Sequence, residues 1–143
     1  MTPERSFDDE LLKQASFEFN GDRFDYEGWI ANRHNIMYVI GNNVGIATFD
    51  YPGCYTAHWF FKARGKEALD IAFAMYDDLF NQQGAEVVRG ITPVNLRGAR
   101  YLAKRIGFVS LGIETYPDGD HEIMCLTKDE FNKKQKERNG RYR

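Results

Sequence analysis

Apolar positions along this chain fall into short β-type runs on either side of one long helical stripe. Ile36-Met37-Tyr38-Val39-Ile40 and Val44-Gly45-Ile46-Ala47-Thr48-Phe49 flank Gly41-Asn42-Asn43 and read as a hairpin, because β-branched and aromatic residues suit strands and Asn/Gly pairs suit the turn. Tyr51-Pro52-Gly53 is a second turn, and residues 55–61 a third strand. The apolar Trp59-Phe60-Phe61 then gives way to Lys62-Ala63-Arg64-Gly65-Lys66. A helical pattern follows at once, with Ala68, Ala72, Met75 and Leu79 on one face and Leu69, Phe73, Tyr76 and Phe80 beside them. Gly84 stops this helix. Residues 86–91 read as a strand, 92–95 as a loop, and 96–106 as a second helix with Ala99, Leu102, Ala103 and Ile106 inward and Gly107 closing it. Residues 108–115 and 122–126 form a last hairpin around Pro117-Asp118-Gly119-Asp120. A strand, a helix and a strand in that order imply a right-handed crossover between parallel neighbours.

Before residue 36 the pattern changes. Ser6 is placed to cap a short helix, with Asp8, Asp9 and Glu10 in its first turn and Leu11 and Leu12 on its apolar face. Phe17, Phe19, Phe24 and Tyr26 alternate with polar residues around Asn20-Gly21, which predicts a hairpin over residues 16–28. Residues 128–143 are polar and basic and read as a solvated, partly helical tail. The expected organisation is one domain over residues 1–127, abbreviated at its N-terminal part, followed by a basic tail over 128–143.

Composition narrows the classes. The chain has 143 residues, enough for one domain with a proper core, and 43% hydrophobic with 15% aromatic content excludes a disordered chain. A net charge of −2 gives no overall pull toward nucleic acid. No apolar run is long enough to span a bilayer and the first nine residues are too charged for a signal peptide, so a cytoplasmic setting is expected. Two cysteines, Cys54 and Cys125, make no disulfide framework. His34, His58 and His121 fall into no metal-ligand spacing, and no metal is expected.

The strand-to-helix turn at Arg64-Gly65-Lys66 points backbone N–H groups and the positive end of a helix dipole at whatever lies before it, the usual recipe for holding a phosphate. The second helix ends in Arg100-Tyr101-Leu102-Ala103-Lys104-Arg105-Ile106-Gly107-Phe108. With these two anchors, the order of elements over residues 36–126 resembles the GNAT superfamily of N-acetyltransferases. The resemblance implies an α+β (α/β) fold: a mixed, mostly antiparallel sheet with a central strand–turn–helix and a βαβ crossover. It also implies that turn amides hold the pyrophosphate of acetyl-CoA, with Arg64, Gly65, Lys66 and Asn95 as cofactor-binding candidates. The family's turn follows Gln/Arg-x-x-Gly-x-Gly/Ala; here Glu67 and Leu69 stand at the two small positions. The strand before the turn offers His58 as the base that deprotonates an amine. Counting back from Gly107-Phe108, the tyrosine that protonates the departing thiolate in many members falls on Ala103, which leaves Tyr101 as the nearby candidate. The usual asparagine position falls on Leu96, one residue from Asn95.

Glu67, Leu69 and Ala103 depart together from function-bearing positions, so the expected function is a non-catalytic structural or assembly module. Small GNAT-like head-assembly or internal virion proteins of tailed bacteriophages look similar in size and charged tail, which makes capsid, portal or ejection proteins the expected partners. The alternative is an acetyl-CoA-dependent N-acetyltransferase acting on an amine, with acetyl-CoA as cofactor if active. The basic tail is a further candidate contact for nucleic acid.

Overall fold

The computed structural model describes residues 1–20 and 24–141, and the side chains of these other than 17–20 and 141. Seven strands form one mixed sheet: β1 (Glu4–Arg5), β2 (Ile36–Ile40), β3 (Asn43–Tyr51), β4 (Cys54–Phe60), β5 (Val87–Pro93), β6 (Val109–Tyr116) and β7 (Gly119–Thr127). Their order across the sheet is β1-β2-β3-β4-β5-β7-β6. Every neighbouring pair is antiparallel except β4 and β5, which are parallel. The five helices among the described residues are α1 (Asp9–Asn20), α2 (Tyr26–Ala31), α3 (Gly65–Asn81), α4 (Arg97–Ile106) and α5 (Lys128–Arg141).

Period-two alternation divides the sheet between two layers of helix. Tyr38, Ala47 and Tyr55 face the cluster built by Ile71, Ala72, Met75, Tyr76 and Leu79 of α3, with Ala103 and Ile106 of α4. Met37, Val44, Ile46 and Phe60 face the other way, onto Leu12 of α1 and Tyr26 and Trp29 of α2. The expected stripe of α3 is this inner face: Ala68, Ala72, Phe73, Met75, Tyr76, Leu79 and Phe80 are all buried. At Gly45 a Cβ would lie 2.7 Å from Met75 Sδ, so a larger residue there would make the Met75 side chain of α3 shift.

The hairpin expected over residues 16–28 does not form. Leu11, Leu12, Ala15 and Ser16 recur at helical spacing, and α1 runs to Asn20. Leu12 is fully buried, and the Ser16 hydroxyl donates to the Leu12 carbonyl at 2.8 Å. Tyr26 opens α2, whose Gly28 amide is capped by the Asp25 carboxylate at 3.0 Å. The other half of the predicted turn, Gly21, lies outside the described residues. The cap of α1 is Asp8, whose carboxylate accepts from the amides of Glu10 and Leu11 at 3.1 and 3.3 Å; Ser6 accepts from Asp8 instead.

The basic stretch after β7 is a helix docked on the domain rather than a solvated tail. Phe131 of α5 has 0% exposure and packs on Phe73, Phe80 and Tyr76, with ring centroids 5.5, 5.3 and 6.2 Å away. Arg138, further along α5, ion-pairs Asp70 of α3 and stacks over the Phe73 ring at 4.6 Å. Tyr142 and Arg143 lie outside the described residues. At the far edge of the sheet every residue of β6 is exposed, including Val109, Leu111 and Ile113. No helix among the described residues is long and apolar enough to cross a membrane.

Candidate active site

The parallel pair β4/β5 is where the sheet opens. Its partners are Cys54↔Val87, Tyr55↔Val88 and Thr56↔Arg89, and pairing stops there although β4 runs on to Phe60 and β5 to Pro93. Each strand keeps its outer neighbour, β3 or β7. Beyond Thr56 and Arg89 the inner edges of the two strands are therefore not laddered to one another. Between them lies a cleft of about 230 Å³. Ala57, His58, Trp59 and Phe60 form one side, Gly90 to Pro93 the other, and Ala99 and Ala103 of α4 and Tyr76 of α3 the floor.

His58 sits inside this fork, on the face of β4 that also carries Phe60, opposite Ile46 of β3. Its ring is open to the cleft yet walled by protein, and the lost hydration pushes its pKa below the ordinary imidazole value. Neutral imidazole is the form that accepts a proton.

β4 leads directly into the turn and α3. Asn43, at the start of β3 and 4% exposed, accepts at 2.8 Å from both the Lys62 and the Ala63 amides, and donates to the Ile40 carbonyl at 3.1 Å. A hairpin residue thus holds the turn in shape. Asn43→Ala is expected to cost about 1–3 kcal/mol, since it leaves two partly buried amides without an acceptor. Urea denaturation measures this; an unchanged midpoint would mean that the turn holds itself.

The sequence candidates fare differently. Gly65 has φ +59°, a left-handed value that favours glycine, and nothing lies within 4 Å of where its Cβ would be. The space in front of the first turn of α3 is open, and that turn presents amides with no intrahelical acceptor. Arg64 turns back on its own loop: its guanidinium donates to the carbonyls of Phe61 and Ala63, both at 3.0 Å, so it braces the turn. Lys66 is exposed and pairs with Asp70 at 3.1 Å. Glu67 is exposed on the first turn, and Leu69 packs against the main core. Asn95 is exposed in the loop before α4 and does not line the cleft, whereas Leu96 does. Tyr101 is 63% exposed on the outer side of α4, its hydroxyl accepting from Arg105 at 2.9 Å, and is not part of the cleft; Ala103 is.

Two features of the site carry no local sequence signal. Glu122 of β7, 4% exposed, accepts from Arg100 Nε at 3.0 Å and sits 3.5 Å from Lys104 Nζ, which fixes the tilt of α4 along the cleft. The Arg100 hydrogen bond holds its carboxyl below the usual carboxylate range; its oxygens are covered by the two cations rather than by depth in the core. The Tyr76 hydroxyl is fully buried, and although the Trp59 side chain lies against it, no partner among the described residues closes a hydrogen bond of good geometry onto it.

No protein-family model and no curated protein sequence matches this chain. Solved structures do. Spermidine/spermine N-acetyltransferase SpeG from Vibrio cholerae superposes with a TM-score of 0.76 at 12% identity, over 94% of this chain and 97% of that one. Aminoglycoside acetyltransferase AAC(6')-Ib in complex with coenzyme A gives 0.68 at 15% identity, over 92% of this chain and 97% of that one. The same enzyme with ribostamycin and coenzyme A gives 0.70 at 14%, over 92% and 95%. These similar structures are acetyltransferases, and the expectation of a phage virion-assembly protein finds no support in them. At this identity the likeness speaks for architecture: the chain has the GNAT fold.

Proposed function

We propose that the chain is an acetyl-CoA-dependent N-acetyltransferase acting on a primary amine. The observation that carries this reading is His58, neutral and open, inside the fork where the ladder between β4 and β5 stops. Supporting it, β4 ends in a turn whose Gly65 leaves clear space before the first turn of α3. The amides of Gly65, Lys66 and Glu67 would hold the pyrophosphate, because a helix N-terminus concentrates donors and positive potential there. Acetyl-CoA supplies an activated acyl group as a thioester. Strand-edge N–H groups along the fork, from Ala57 to Trp59 and from Gly90 to Thr92, are suited to hold that chain and to stabilise charge growing on the thioester oxygen.

The remaining chemistry belongs to His58. A nitrogen–carbon bond forms as the carbon–sulfur bond breaks; His58 takes the amine proton, and the thiolate leaves with a proton from solvent, since Ala103 offers none. In a second role for the fork, Trp59, Tyr76 and Phe108 close its floor in edge-to-face contacts of 5.8, 6.1 and 5.7 Å, which limits water at the reacting centre. Calorimetry with acetyl-CoA is the test. Saturable heat at micromolar ligand, abolished by an added side chain in Gly65→Val, is the expected result; no heat at high micromolar ligand ends the reading.

A further inference from the structure

We infer that the acceptor is a single amine carried on an apolar body, an arylalkylamine or alkylamine, and not a polycation; the inference rests on the acyl-transfer reading above. The side of the cleft that faces α1 and α2, where an amine would reach His58, is walled by Phe24, Ile46 and Phe60, with Pro93 and Leu96 across from them at the rim. Thr48 adds a hydroxyl, already accepting from the Trp29 indole N–H at 3.0 Å. Among the described residues no carboxylate lines this cleft. Glu122 of β7, buried against α4, is already shared between Arg100 and Lys104.

An ammonium taken out of water needs a paired carboxylate or several acceptors. A spermidine or an aminoglycoside brings several ammonium groups, of which one is deprotonated for attack and the rest need partners. The wall here supplies aromatic and aliphatic surface, which rewards burial of an apolar body. The same apolar surroundings disfavour a cation at His58, consistent with its lowered pKa. The substrates in the names of the similar structures, spermidine and aminoglycoside, are therefore poor guides to this chain.

Binding of the amine is read directly, without turnover, from the fluorescence of Trp59 in the cleft, against the other tryptophan, Trp29, as background. A saturable change with 2-phenylethylamine and at least about tenfold weaker response to spermidine is expected, since each unpaired charge buried in the cleft is costly. Equal or tighter binding of spermidine, or no saturable response to 2-phenylethylamine, overturns the inference. Leu96→Glu places a carboxylate at the rim on a residue that is 39% exposed, so the fold is undisturbed. This variant is expected to gain spermidine affinity, and no gain also counts against the inference. Thiol release from acetyl-CoA with the same two amines is followed in parallel: amine binding without transfer strikes the acyl-transfer reading and leaves only the cleft's preference for a single amine on an apolar body standing.

Discussion

Replacing His58 with glutamine is expected to lower kcat/KM by about a hundred- to ten-thousand-fold, the range that a positioned base contributes. Glutamine keeps the size and polarity of the side chain, so folding and acetyl-CoA affinity stay as they are. Wild-type kcat/KM is expected to fall as pH drops through a value below the ordinary imidazole 6.5, because burial lowers the pKa of His58 and only the neutral ring accepts a proton. The variant loses that acid limb. The same shift gives stability a sign. The unfolded chain takes up its proton near 6.5 and the folded one at lower pH, so folding weakens as pH falls from about 6.5 toward the folded value. Steady-state kinetics across pH decides: a variant with unchanged kcat/KM and an unchanged acid limb removes His58 from the chemistry.

Phe131→Ala is expected to cost about 3–5 kcal/mol, the range for emptying a buried aromatic site. The ring has 0% exposure and lies within ring-contact distance of three aromatics of α3. Those three sit on a rigid helix already packed on the sheet, so the hole cannot collapse easily. The loss is expected to undock α5 as well, because Phe131 is the fully buried residue of α5 among the described ones, and the Arg138–Asp70 pair and Arg138–Phe73 stack engage a single further residue. Urea denaturation with a helix signal measures both; a loss under about 1 kcal/mol would mean that α5 is held by something other than this ring.

Phe131 also shows where reading from sequence stops. It is one ring among Lys, Asn and Gln, and a single apolar residue has no period, so nothing local separates an anchor from a solvated tail. The middle of the chain was legible because each step had its own short-range cause. Asn/Gly turns set β2 and β3, an eight-residue stripe set α3, and Gly107 with φ +121° ended α4. The helix expected around Leu11 and Leu12 forms as α1, but residues 16–28 misled for the opposite reason. An Asn-Gly pair and alternating phenylalanines outweighed the helical spacing of Leu11, Leu12 and Ala15, whose burial depends on β3 far along the chain.

At the site the same division holds. His58, a candidate because it lies on the strand leading into the turn, does line the cleft. Tyr101 is two residues from the counted position Ala103, which turns it to a different side of the helix, and the structure puts it in solvent. Arg64 was read as a ligand group, but its fork finds carbonyls of its own turn before any phosphate. Asn43 reads as an ordinary hairpin residue, since the amides it holds are 19 and 20 residues away. Glu122 gathers two cations from another helix, a pairing set by tertiary geometry alone.

The break in the ladder has a mechanical side. Four strands lie on one side of the β4/β5 junction and three on the other, and only three residue pairs stitch them together. The sheet is two stiff leaves on a short spine at residues 54–56 and 87–89. Each leaf is braced within itself by antiparallel ladders, and the two share one core cluster with α3 and α4 beneath the spine. A molecule seated in the fork would touch both leaves where no strand pair joins them, and is expected to tie them together there.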